Sequence, residues 1–221
     1  MTVIKNNTSI LINLLNVYLV FLVIGVLNDI FTLKLLNNFK EGIFPDYVDN
    51  FDNYTAIFSI VFFILVIAVL IVAGVWLYRS HKRLRGWGVK DLKFSDGSCV
   101  WWYFIPFMNL FKPYQAMRET WFASQSPMNW KLSSSPLLLK VWWGSWIISN
   151  IVSNIYSKLS FHEEQSNSLD GLMFLTNISM VSGILDICAT ILFLKVVKKV
   201  NQMQLEYSSN LDYPLKVFSN N

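Results

Sequence analysis

The chain has 221 residues, 54% of them hydrophobic and only 14% charged, with a formal net charge of +4 and a mean hydropathy of +0.42. Soluble domains carry roughly 25% charged residues, and nine Trp, nine Tyr and 17 Phe are too many for a disordered chain. Two cysteines cannot staple a secreted scaffold, which leaves a membrane protein of one compact domain.

Taken in chain order, four stretches offer the roughly 20 apolar residues that a helix rising about 1.5 Å per residue needs to cross a bilayer. Backbone groups in hydrocarbon must bond to one another, so all four are predicted as α-helices. The first covers about Ile10–Phe31, with no charge between Lys5 and Asp29. No small-x-small cleavage site follows it, so it is read as a retained span and not a signal peptide. A loop with Lys34 and Lys40 against Glu41, Asp46, Asp49 and Asp52 leads to the second, about Thr55–Tyr78, which is free of charge from Asp52 to Arg79. Six bases come next, Arg79, Lys82, Arg83, Arg85, Lys90 and Lys93.

The segment that follows, about 99–122, is uncharged from Gly97 to Phe111, too short for an ordinary span, and broken by Pro106. Asn109 and Pro113 bracket a second break, with Pro113 placed to begin a new helix. On that helix Tyr114, Met117 and Trp121 form an apolar stripe, and Gln115 and Glu119 are expected to face away. The whole reads as a re-entrant hairpin or an interfacial helical segment.

The third span, about Pro136–Lys158, has Lys140 near its start and carries Ser145, Ser149, Ser153 and Ser157 at every fourth position, with Asn150 and Asn154 alongside. The fourth, about Leu172–Val197, carries Ser179, Ser182, Asp186 and Thr190 on one face. Joined by a turn with Glu163, Glu164 and Asp170, two such faces are expected to pack together, since small and polar residues form the usual contact between membrane helices. Asp186 stands out, because an ionised carboxylate at mid-bilayer costs about 2.5–3.5 kcal/mol on insertion scales. Its candidate partners are Lys140, Asn150 and Asn154, or Lys112 or Arg118 should the middle segment re-enter the bilayer, and with Ser182 they make up a candidate intramembrane polar site. Residues 1–200 are thus expected to form a single polytopic domain and 201–221 a tail.

The middle segment resembles a known family, the bacterial domain-of-unknown-function 4328 proteins. The resemblance is carried by Tyr78-Arg79, Leu84-Arg85, Gly88, Ser95 and Gly97, then Trp102, Phe104, Pro106, Asn109 and Leu110, then Pro113-Tyr114-Gln115 and Trp121. It departs from the family pattern at Arg83 (where Asn is usual), Lys112 (where Arg is common) and Ser98 (in place of an aromatic). The resemblance implies an integral membrane protein of the bacterial inner membrane and supplies no activity.

Lys and Arg gather on cytoplasmic loops, and the six bases, together with Lys195, Lys198 and Lys199, place both termini and the middle loop inside. Bases at Arg79–Lys93 suit anionic headgroups, and nothing resembles a nucleic-acid module, so lipid and not nucleic acid is the expected partner. No Cys-x-x-Cys, His-Glu-x-x-His, phosphate loop or Gly-x-Ser-x-Gly occurs, so no metal, cofactor or named catalytic class is expected. His81 and His162 fall on opposite sides, and Cys99 with His81 lacks an adjacent acid. The readings left are an accessory, scaffold or sensor, with a homo-oligomer or membrane-protein partner, and a small oligomeric channel or transporter built on Asp186.

Overall fold

The computed structural model describes residues 2–132, 136–161 and 168–219. Among them it is all-helical, with no strand: α1 (Thr2–Lys40), α2 (Val48–Gly86), α3 (Ser98–Trp101), α4 (Lys112–Gln125), α5 (Leu137–Ser160) and α6 (Leu169–Ser219). Short 3-10 turns occur at Met108–Leu110 and Trp130–Leu132.

Glycine stops the first two long helices by the same device. Gly88 takes a φ of 78°, Val89 N–H donates to Leu84 O at 3.1 Å and Gly88 N–H to Arg85 O at 3.0 Å, so orphan carbonyls of the last turn are capped. Gly42, at φ 77°, ends α1 alike, with Ile43 N–H on Asn38 O and Gly42 N–H on Phe39 O.

Three helices are long and apolar enough to cross a membrane, over Thr8–Lys40, Val48–Gly86 and Leu169–Asn210. The sequence expectation of four is corrected at α5. That helix has 24 residues, ample for a crossing, yet Lys140, Lys158 and the Ser and Asn stripe dilute its apolar residues. From residue 201 the chain continues α6 as far as Ser219, and Met203 and Gln204 are buried.

Contacts divide the chain into two units. The first comprises Met1–Leu15, Val69–Val141 and Leu192–Asn221, the second Asn16–Ala68 and Trp142–Ile191. In the first unit Leu84, Val89 and Ala123 form a core flanked by Trp87, Leu92 and Trp130, and Trp76 meets Phe193 edge-on at 6.3 Å. Polar ties reinforce it: Gln204, fully buried, accepts from Arg83 Nε at 2.9 Å and Nη2 at 2.6 Å, and donates to Ser80 O and Ser124 Oγ. Thr8 Oγ1 donates to Asn201 Oδ1 at 2.8 Å.

In the second unit α1 and α2 are zipped by rings, Tyr18 on Phe62 at 5.7 Å, Phe21 on Phe58 at 5.6 Å and Phe31 on Phe51 at 4.7 Å. Gly183 of α6 lets α1 approach so closely that a Cβ there would lie 2.9 Å from Val26 Cγ2. Elsewhere α2 leaves Ile57, Ile60, Phe63, Ile64, Leu70 and Ile71 exposed, an apolar surface suited to lipid.

Between α3 and α4 the chain turns sharply. Met108 N–H donates to Pro106 O at 2.8 Å, and Phe107 adopts φ 62° and ψ −40°, a strained left-handed γ-turn. Such a conformation costs a side-chain-bearing residue about 1–3 kcal/mol and persists only where its surroundings impose it.

Candidate functional site

The first unit holds a cluster built on His81, near the end of α2. The ring is 0% exposed, with Nδ1 2.8 Å from Asp96 Oδ1 and Nε2 3.1 Å from Glu119 Oε1. The two carboxyl groups thus bracket the imidazole, one at each ring nitrogen. Glu119, 4% exposed on α4, is further satisfied by the backbone, since Lys93 N–H donates to Oε2 at 2.7 Å and Phe94 N–H to Oε1 at 3.2 Å. Arg85 Nε donates to Asp96 at 3.2 Å, and its Nη2 donates to Phe94 O at 3.0 Å. Burial works against the Asp96 carboxylate, but hydrogen bonds from His81 and Arg85 outweigh it and hold the group below the usual carboxylate range.

Two sequence expectations are corrected here. Glu119 does not face away: it is buried against His81. His81 does have adjacent acids, one brought by the loop after α2 and one by α4. A signal for Glu119 was present in its spacing, because Ala116 and Ala123 lie three before and four after it and share its buried helix face. Nothing comparable marked Asp96.

Cys99, at 0% exposure, does not complete a nucleophilic site. Burial, then the Glu119 and Asp96 carboxylates, push its thiol up to about 12, the opposite of what a reactive cysteine needs. Both nitrogens of His81, the one imidazole beside it among the described residues, already meet carboxylates. His162, Glu163 and Glu164 lie outside the described residues.

The family-like residues lie on the same unit. Arg79 and Phe104 are exposed, as is Pro106 at the turn, and Pro113 is buried within the first turn of α4. Lys112 Nζ lies over the Trp102 ring at 5.5 Å and the Phe94 ring at 5.9 Å, and Arg118 lies over Tyr114 at 6.0 Å. Asn109 is half-buried, its backbone N–H on Ile105 O. Of the six bases in 79–93, Arg83 bonds Gln204 in a part-buried site, and Arg85, still exposed, bonds Asp96.

The intramembrane candidates divide. In the second unit Ser149 Oγ donates to Asp186 Oδ1, and Ser153 and Ser182 hydroxyls pair at 2.7 Å, so the polar stripes of α5 and α6 do meet. Asn150 and Asn154 do not reach Asp186: their amides donate to Trp146 O and Asn150 O, one turn back on their own helix. Lys140, Lys112 and Arg118 belong to the first unit, and Lys140 is exposed. Unnoticed in the sequence, Asp29 of α1 bonds Ser179 of α6, setting a second carboxylate on the face that holds Ser182 and Asp186.

A surface cleft of about 360 Å³ is lined by Gly88, Lys90, Asp91, Met128, Trp130 and Lys131. Across it Lys131 Nζ lies 2.6 Å from Asp91 Oδ2, and Trp130 Nε1 donates to the Lys90 backbone carbonyl. Among the described residues no group of His, Cys, Asp and Glu is arranged to hold a metal ion.

Residues 41–202 match the family described as Domain of unknown function (DUF4328). Neither a curated protein nor a solved structure matches the chain.

Proposed function

The chain belongs to the DUF4328 family, and from that premise we propose a membrane protein without chemistry of its own, an accessory, scaffold or sensor of the bacterial inner membrane. The observation that carries this reading is the saturation of the His81 cluster. Both ring nitrogens and both Glu119 oxygens are engaged inside the fold, and the neighbouring thiol is held protonated. A tie of that kind fixes elements and leaves no free base for a substrate.

In this reading α5 packs beside α6, its Ser149 and Ser153 spent on Asp186 and Ser182. The positive-inside rule favours the cytoplasmic side for the loop that holds the six bases. Arg79, Lys82, Lys90 and Lys93 then meet anionic headgroups, and the exposed apolar face of α2 meets lipid, a second copy or another membrane protein.

A second reading, a small channel or transporter, draws on Asp29 and Asp186 facing one side of α6. Proteoliposomes loaded with a pH-sensitive dye and polarised with a potassium gradient separate the two. Flux no faster than in protein-free vesicles is expected. Flux that Asp186→Asn abolishes would establish the channel and overturn the accessory reading.

A further inference from the structure

The stretch joining α3 to α4 presents an unusual surface. Trp101 is 68%, Phe104 67% and Phe107 80% exposed, and Ile105, Leu110 and Phe111 add to the same short stretch. Six large apolar side chains uncovered within Trp101–Phe111 exceed what water tolerates without a partner. The strained turn at Phe107 aims its ring outward at the tip, instead of tucking it into the core.

The depth of this surface can be read from a close contact with α2. A Cβ placed on Gly74 would lie 3.2 Å from Val100 Cγ1, so α3 rests on the bare face of Gly74. Gly74 lies within the charge-free run, five residues before Arg79, which is about 7.5 Å along a helix. Val100 therefore docks on the apolar side of the first base of α2, where headgroups end and acyl chains begin. The bases border the stretch and do not interrupt it: Lys93 precedes it and Lys112 follows, with the Lys112 amine over Trp102 and Phe94. An amine at the rim with aromatic rings beyond it is the pattern of a segment anchored at a membrane interface.

We propose that residues 101–111 form a wedge that enters the acyl region of the cytoplasmic leaflet, with Phe107 at its tip and the His81–Asp96–Glu119 tie holding its base against α2. The occupant of the exposed face is lipid. Indole and phenyl rings exposed on a rigid turn displace acyl chains in one leaflet only, so the wedge suits a protein that responds to lipid packing on that side. The inference rests on the reading that α2 crosses the bilayer with Arg79 at its cytoplasmic end.

The test uses the full chain in liposomes, with Cys188→Ala to remove the exposed thiol and Cys99 left buried. A nitroxide is attached at Phe107→Cys, at Ile64→Cys in the apolar middle of α2, and at Gln125→Cys as an aqueous control. Phe107 is exposed, so its replacement disturbs no core packing. Collisions with oxygen exceeding those with a water-soluble nickel chelate several-fold at positions 107 and 64, and the reverse at 125, are expected. A nickel-dominated signal at 107 with oxygen dominant at 64 overturns the wedge and spares the crossing. Low collision with both agents at 107 means protein covers it, a second copy included, and also overturns the wedge. A nickel-dominated signal at 64 overturns the membrane reading and the wedge with it.

Discussion

His81 has a carboxylate on each ring nitrogen and is fully buried, so its loss leaves two acids without their shared partner. Removing one partner from a buried ion pair costs about 3–5 kcal/mol, and the 19% exposure of Asp96 trims this. His81→Leu is expected to lower the thermal unfolding temperature in detergent clearly, and Glu119→Gln, which keeps the shape and an acceptor, to lower it less. Equal, negligible shifts would show that the cluster does not hold the fold. Asp96 adds a pH signature. Its folded value is depressed, so its contribution is fully present above the unfolded carboxylate value of about 3.9 and is lost as pH falls through the lower folded value. The stability gap between the native chain and Asp96→Asn should be open at pH 7 and narrow below about pH 4. Unfolding curves at a series of pH values check this, and a gap that widened in acid would contradict it.

At the scale of elements, approach distance decides which helices can pack. Gly183 of α6 lies against α1, and a methyl there would overlap Val26 Cγ2. Overpacking of this kind costs about 1–3 kcal/mol. Gly183→Ala is expected to destabilise the chain by that order, and Val26→Ala in the same chain to restore much of the loss. Thermal unfolding of the two single variants and the pair gives the coupling, and additive losses would mean the contact is not the cause. The polar stripes of α5 and α6 obey the same geometry. Ser149 reaches Asp186 and Ser153 reaches Ser182 because residues at every fourth position share a face, whereas Asn150 and Asn154 fall off that face and bond their own helix.

Within the first unit, segments remote in sequence close one core. Thr8 bonds Asn201, Arg83 bonds Gln204, and Trp87 packs its ring 5.0 Å from Tyr207. Ending the chain after Val200 removes Asn201, Gln204 and Tyr207 together and strips Arg83 of its charge-assisted acceptor, worth about 1.5–3 kcal/mol. Such a truncation is expected to insert into membranes yet to expose the 87–132 region to limited proteolysis. Unchanged digestion would mean that the last turns of α6 are dispensable for that unit.

The charge-free runs and the family motif were legible in the amino-acid order, because each depends on near neighbours or on composition over a window. So was the meeting of the α5 and α6 stripes, which follows from helical period and a short connection. α5 falls short of a span because Lys140, Lys158 and its Ser and Asn residues dilute it, and two of those serines are spent on α6. The His81 tie and the burial of Gln204 were decided only by the tertiary structure. Glu119 lies 38 residues from His81, and Gln204 lies 121 from Arg83. A pairing at that separation has no period to betray it, and a buried charge is tolerable only once the fold supplies its partner.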